Sequence, residues 1–308
     1  GFCTALFFVA MQLIFGLDFS YYSSLNGNTF NPDSGTIRYP GVFHDSQKHG
    51  QFLALFSFAL LIPNDFWKFK GPWGNRLLFL FTSLAILLTG SRSALAGFIL
   101  GCAVLFILGG PRIRAFFMAM AGMGALVLLI YAPQMTIFER SANISEDYLF
   151  RKAIWEETID IAGDHPFLGI GLGNFEKYVT VYNQDLYLQN GEGDIIYLDQ
   201  PENGYLKLLV EHGYVGMVLF IMIVLVPLIR GLTTMNKASK TYYLAFLVSG
   251  VLSWVLAFNT VYSLTDNRLL VLLCTYLVLL YFAGSDAVPI RKWGNKPRNN
   301  WGNAIGNA

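Results

Sequence analysis

PENGYLKLLVEHGYVGMVLFIMIVLVPLI, residues 201–229, begins polar and ends as an uninterrupted greasy run. Pro201-Glu-Asn-Gly-Tyr205 leads through Glu211-His-Gly213 into a stretch that suits a membrane crossing, for which about 20 mainly apolar residues are needed. Asn203 suits a helix N-cap, and a carboxylate such as Glu202 is favoured at a helix start by the macrodipole. Upstream, the stretch from Tyr148 to Gly216 holds most of the ionisable side chains able to do chemistry. The chain on either side of it is apolar, so the expected picture is a polar cap over a membrane bundle.

Composition agrees. The 308 residues are 54% hydrophobic and 13% charged, with a mean hydropathy of +0.47. A soluble domain carries about 25% charged residues, so this balance points to an integral membrane protein. The net charge of +1 supplies no basic surface for nucleic acid. Cys3, Cys102 and Cys274 all lie in apolar runs, without metal-ligand spacing, and read as small buried side chains. The opening at Gly1 reads as a start inside a membrane span rather than as a signal peptide.

Candidate spans cover residues 1–17, 49–66, 76–90, 93–110, 114–132, 205–229, 241–260 and 268–284. The runs 76–90 and 93–110 flank Gly90-Ser-Arg-Ser93 and read as two helices with a tight turn, because one helix of that length would far exceed an apolar slab of roughly 30 Å. The loops holding Lys68, Lys70, Arg76, Arg112, Arg114, Arg230, Lys237 and Lys240, with the tail bearing Arg291, Lys292, Lys296 and Arg298, are placed in the cytoplasm by the positive-inside bias. The expected fold is all-α: a polytopic transmembrane bundle with one large extracytoplasmic loop containing short helices. Residues 1–132 would carry the first five spans, 133–204 the large loop, 205–284 three further spans, and 285–308 a flexible cytoplasmic tail.

Each candidate for chemistry has a plainer reading beside it. Arg92, in a minimal outer turn, is either an arginine snorkelling to headgroups or a phosphate ligand. Arg151 and Trp155, four apart on an amphipathic segment whose apolar residues are Tyr148, Ile154, Trp155, Ile159 and Ile161, share a helix face and could simply stack at a membrane surface. Gly169, Gly171 and Gly173 lack the register of a nucleotide loop and read as a tight turn packed on helix ends. Glu202 is either part of a helix start or a general base for a hydroxyl, its acidity weakened by partial desolvation. His44 and His49 border the outer loop and His165 lies in the large one. No histidine or carboxylate set has a metal-site spacing, so no metal or other cofactor is expected.

Taken in order, Arg38-Tyr-Pro-Gly-Val-Phe43, Thr89-Gly-Ser-Arg-Ser-Ala94, Arg151 with Trp155, His165-Pro-Phe-Leu-Gly-Ile-Gly-Leu-Gly-Asn-Phe175, and Glu202-Asn-Gly-Tyr-Leu206 with Glu211, Gly213 and Gly216 span residues 36–284. This order resembles the bacterial O-antigen ligase and polymerase family of polysaccharide membrane enzymes. Members usually have more spans than are counted here, which implies missing N-terminal helices.

The resemblance implies a glycosyltransferase of the bacterial inner membrane, with its active site facing the periplasm. It would move a glycan from undecaprenyl diphosphate to an acceptor hydroxyl, on a growing glycan, on lipid A core or on a protein, without a metal and with inversion. Arg92 and Arg151 would clamp the diphosphate and Glu202 would activate the acceptor. Arg38, His44, Trp155, Asn203 and Tyr205 would line the substrate site, with Trp155, Phe175, Tyr178 and Tyr205 available to stack on sugars. Ligases of the family carry a histidine where this chain has Glu202, which leans the reading toward a polymerase. The competing class is a transporter or channel using Arg92 and Arg268 as anion-binding groups. The lack of an internal repeat and the gathering of polar residues on one face speak against it. A scaffold subunit is a third possibility, and it leaves the arginine motifs without a role.

Overall fold

The computed structural model describes residues 1–25, 29–31, 36–62, 72–131, 144–182, 187–189, 195–197, 200–235 and 241–282. Lys68, Lys70, Lys237, Lys240 and the tail 285–308 lie outside the described residues.

Helices dominate. In chain order they are α1 (Phe2–Phe15), α2 (Ser46–Ser57, continued by a 3-10 turn Phe58–Leu61), α3 (Pro72–Leu88), α4 (Arg92–Leu108) and α5 (Pro111–Tyr131). They continue with α6 (Ile144–Asp164), α7 (Phe175–Tyr182), α8 (Gly204–Met235), α9 (Thr241–Ala257) and α10 (Asn267–Phe282). Two small antiparallel ladders depart from an all-α chain: β1 (Phe30–Asn31) with β2 (Thr36–Ile37), and β3 (Tyr187–Gln189) with β4 (Ile195–Tyr197).

Among the described residues α8 is the one helix long and apolar enough to cross a membrane, while α1, α3, α4, α9 and α10 are apolar but shorter. Burial separates α8 from the core helix of a soluble protein, since only 22% of its most apolar window is buried. Val215, Leu219, Met222 and Val226 are exposed along it, and Val224, Leu228 and Gly231 face inward. The two-helix reading of 76–110 matches the geometry. α3 ends at Leu88, Gly90 turns with φ 62°, and Ser91 caps α4 by accepting from Ala94 N–H at 3.3 Å. Cys3 and Cys274 are exposed rather than buried, correcting the expectation for them, and Cys102 is partly covered.

The centre of the fold is the seam between α4 and α9. A Cβ on Gly97 would strike the Ser253 carbonyl, and one on Gly101 would meet the Phe58 ring and come within 2.9 Å of the Ser249 carbonyl. Small residues four apart on both helices therefore let the two backbones touch, the mode by which apolar helices associate where lipid removes the hydrophobic driving force. Trp254, Phe246, Val251 and Phe58 complete the packing with no exposed surface.

The C-terminal end of α9 organises everything around it. Helix ends leave carbonyls without intrahelical partners, and here other segments supply donors. Gln51 of α2 donates to Ala257 and Val261 carbonyls at 3.0 and 3.2 Å. Tyr205 donates through its hydroxyl to the Val255 carbonyl at 2.7 Å, and Gly204 N–H to the Phe258 carbonyl at 3.1 Å. Ser93, in the first turn of α4, pairs with Thr260 at 2.6 Å. The N-terminal ends of α2, α4 and α8 are thereby gathered at one end of the bundle.

That end is fastened by Arg268 at the start of α10. It holds Asp266 at 2.6 Å, donates to the Val42 carbonyl at 2.6 Å and the Tyr22 hydroxyl at 3.2 Å, and lies over the Phe43 ring at 4.0 Å. Burial alone would raise the Asp266 carboxyl, but hydrogen bonds from Arg268, its charge, and the Arg268 and Leu269 N–H groups outweigh it and hold Asp266 below its usual range.

α8 is broken at Gly213, whose φ of 65° and ψ of −170° are not helical. The break frees two carbonyls and two N–H groups, and the loop after α6 takes up all four. Ile170 and Gly171 N–H donate to the Val210 and Glu211 carbonyls at 2.9 and 3.0 Å, while Tyr214 and Val215 N–H donate to Pro166 and Phe167 carbonyls at 2.7 and 3.3 Å. The glycine-rich run is thus a structural splice, as a tight turn on a helix end would be, and Gly169 in it lies against the backbone of Val210 and Glu211.

α6 packs on α8 through Ile154, Thr158, Ile161 and Ala162, all buried at helical spacing. Tyr148 and Ile159, expected on the apolar face, are exposed. The stripe is set by the polar Thr158, which becomes acceptable inside because its hydroxyl bonds the Ile154 carbonyl at 2.6 Å.

Candidate functional site

At the end where these helix starts converge, α6 presents Arg151 and Trp155 to the segment before α8. Being four apart they take neighbouring partners: Arg151 Nη2 lies 3.4 Å from Glu202 Oε2, and Trp155 Nε1 donates to the Pro201 carbonyl at 3.0 Å. Both charged groups are partly open, 22% and 18% exposed. Glu202 has φ 49° and is the only non-glycine residue with positive φ among the described residues. A side chain in that region costs about 1–2 kcal/mol. Such strain persists where the surroundings over-determine it and is concentrated at functional positions.

Asn203 caps α8. Its Oδ1 accepts from Tyr205 and Leu206 N–H at 3.0 and 3.2 Å, and its Nδ2 donates to Asn259 Oδ1 at 3.2 Å. Asn259 precedes Thr260, the partner of Ser93, so side-chain bonds connect the Ser91-Arg92-Ser93 turn to the Glu202 turn. Arg92 is half-buried at the first position of α4.

Arg38 enters from the other side. It is 6% exposed, its stem lies against Gly90, and its Nη1 is buried with no hydrogen-bond partner. The neighbouring start of α2 leaves two more buried polar atoms without one, Ser46 Oγ and His49 Nε2, and Gly50 on that helix lies against Thr89 and Ser91. A buried guanidinium nitrogen with no acceptor is costly. The Arg38 stem against Gly90 sets it beside the start of α4, a helix N-terminus whose dipole favours negative charge.

Not every expected site residue belongs here. Tyr205 spends its hydroxyl on the Val255 carbonyl and sets its ring edge-on to Phe258 at 5.0 Å, so it packs the helix rather than facing a sugar. His44 stands edge-on to Tyr22 at 5.6 Å, beside the Arg268 staple. Phe175 is fully buried with Ile161, Val179 and Val210, which removes it as a stacking platform. Arg268, the transporter candidate, has its donors committed to Asp266, Val42 and Tyr22. Sequence reasoning missed Asn259 and Thr260, which tie the two turns together; neither belongs to a motif, and only their hydrogen-bond partners single them out. It also passed over Lys207 and Tyr262. Lys207 lies 4.0 Å from the buried Glu211 and 5.7 Å from the Tyr262 ring, and burial with the charge of Glu211 pushes the Tyr262 phenol up to about 12.

Residues 77–221 match the family model described as O-Antigen ligase. An O-antigen ligase of Pseudomonas aeruginosa is 30% identical over 169 residues, which is 54% of this chain. The match spans 37% of that relative's length. The matched segment contains Arg92, Arg151, Glu202 and Asn203. The two comparisons, one with a family and one with a single protein, both find this chain similar to O-antigen ligases.

Proposed function

We propose that the protein is a polytopic enzyme of the bacterial inner membrane that transfers a glycan from undecaprenyl diphosphate to an acceptor hydroxyl on the periplasmic face. The observation that carries this reading is the pairing of Arg151 with Glu202, in a segment that the bonds of Asn203 to Asn259 and of Thr260 to Ser93 link to the turn bearing Arg92, on which Arg38 packs at Gly90. A glycosyl diphosphate donor needs that combination, positive charge for the leaving group and a carboxylate for the nucleophile.

In the proposed reaction the acceptor oxygen forms a bond to the anomeric carbon as the bond from that carbon to the phosphate oxygen breaks. The electron pair leaves with the undecaprenyl diphosphate, and the configuration inverts. Glu202 takes the acceptor's proton. Arg92 and Arg151 stabilise the charge developing on the phosphate, a load that a metal ion carries in other transferases. The long contact between Arg151 and Glu202 suits exchange: diphosphate draws the guanidinium toward itself and leaves the carboxylate free to act as the base. Arg38 and Asn203 complete the substrate site, and Trp155 holds the turn that carries Glu202.

Both a polymerase and a ligase fit this chemistry, and the acceptor separates them. The full-length protein in detergent, given undecaprenyl-diphosphate-linked repeat units in the presence of EDTA, is expected to yield product. A ladder without lipid A core means a polymerase; a single shift only with it means a ligase. Arg92→Ala and Arg151→Ala should each lower turnover by about 10²–10³, the cost of removing one oxyanion donor. Full activity in both variants would remove the clamp, and flux of free glycan into liposomes without transfer would favour a transporter.

A further inference from the structure

The splice loop between α6 and α7 leaves an apolar surface that the transfer reaction does not use. Phe167, Leu168 and Leu172 are 73%, 76% and 68% exposed, the most open large apolar side chains of this region. Pro166 to Phe175 contains no ionisable side chain; His165 stands before it and Glu176 and Lys177 after it.

The loop's position is set by backbone bonds. Tyr214 and Val215 N–H donate to the Pro166 and Phe167 carbonyls, so Phe167 and Leu168 lie beside the residues that open the exposed apolar face of α8. Tyr214 and Val215 are themselves exposed, and Val218, Leu219 and Met222 continue that face. The two surfaces are one. Four of the loop's amides are engaged within the protein: Gly169 N–H bonds the His165 carbonyl, Ile170 and Gly171 bond α8, and Asn174 N–H bonds the Gly171 carbonyl. Irregular backbone in the hydrocarbon needs its polar groups satisfied within the protein, so the loop's remaining amides set it at the headgroup level, where water and headgroups supply acceptors. An aqueous loop does not usually expose three large apolar side chains together.

We propose that Phe167, Leu168 and Leu172 form a wedge inserted into the outer-leaflet interface of the bilayer, continuous with the lipid-facing side of α8. The occupant of this surface is lipid. Interfacial elements of this kind sink about 5–10 Å to the boundary of headgroups and acyl chains, with Tyr214 placed where aromatic belts lie. The wedge fixes the depth of the active-site end: the half of α8 before Gly213, which carries Lys207 and Glu211, stands at or above the interface, and the crossing begins at Tyr214. This inference rests on the membrane reading of α8 made above.

The test uses the full-length protein with Cys3, Cys102 and Cys274 replaced by serine, reconstituted in phosphatidylethanolamine and phosphatidylglycerol vesicles. Single cysteines at Leu168, Leu172, Met222 and Glu176 are nitroxide-labelled, and their collisions with oxygen, which concentrates in lipid, are compared with those with a water-soluble nickel chelate. Labels at Leu168 and Leu172 should favour oxygen, as Met222 does, and Glu176 should favour nickel. Nickel-accessible labels at Leu168 and Leu172 with a lipid-accessible Met222 would overturn the wedge and leave the membrane reading standing. A nickel-accessible Met222 would overturn both. Phe167→Cys gives a third position on the wedge should either leucine variant fail to fold.

Discussion

At Glu202, local backbone preference and chemistry oppose each other. Its φ of 49° is a conformation that glycine adopts without strain, yet the chain keeps a glutamate there, paired with Arg151. Replacing it with glycine relieves about 1–2 kcal/mol of backbone strain and removes the carboxylate. Glu202→Gly should therefore melt within a few degrees of the parent and lose turnover. Thermal unfolding and donor consumption on the same preparation check both halves, and retained turnover would show that Glu202 is not the base. The partnership of Arg151 and Trp155 was legible from their spacing, because a helix places residues four apart on one face. The role of Tyr205 was not. Its hydroxyl partner, Val255, lies 50 residues along the chain, and no local pattern encodes such a meeting. For the same reason Arg38, a peripheral candidate in its loop, takes on weight from the structure: burial of its Nη1 without a partner is a property of the packed chain.

Among the elements, the break in α8 matters most. A sequence window across Gly213 reads as one apolar helix that merely starts polar, and the chain path shows two segments joined by a foreign loop. The glycine-rich run is needed because α8 and the loop meet backbone to backbone at Gly169 and Gly213. Gly213→Ala should cost at least about 1–2 kcal/mol for its positive φ alone, with more from the clash against the Phe167 backbone. The expected reading is a lowered melting temperature together with faster proteolysis between Asp164 and Phe175, since losing the splice frees that loop. An unchanged melting temperature and cleavage pattern would mean that the break is not what anchors it. The α4–α9 seam was only half legible: glycines four apart are visible in the sequence, but their partner helix, bearing Ser249 and Ser253, is not.

For the whole molecule, the Arg268 staple joins three separate stretches of chain, at Tyr22, at Val42 and Phe43, and at Asp266. It carries a pH dependence. Folding holds the Asp266 carboxyl below its ordinary value of 3.8, so the stability it adds is complete above pH 3.8 and is lost as pH falls through the lower folded value. The difference in melting temperature between the parent and Asp266→Asn should stay level from neutral pH to that point and shrink below it. A difference that does not change through acid would show that the carboxylate's charge is not what the staple uses.

What the amino-acid sequence determined by itself is whatever depends on composition and near neighbours. Low charge and long apolar runs set the helical, lipid-compatible class; Asn203 announces a helix start; and Arg151 and Trp155 declare a shared face. The tertiary structure alone decided which of the polar groups meet. The bonds from Gln51 to Ala257, Ser93 to Thr260 and Asn203 to Asn259 close loops of 206, 167 and 56 residues. The first satisfies a helix-end carbonyl that has no partner within its own helix, and such a carbonyl accepts a donor from any segment the packing brings near; the other two join side chains on the turns beside it. Apolar periodicity brings the helices together, and these unpaired ends then select the arrangement that gathers Arg38, Arg92, Arg151 and Glu202 at one end of the bundle.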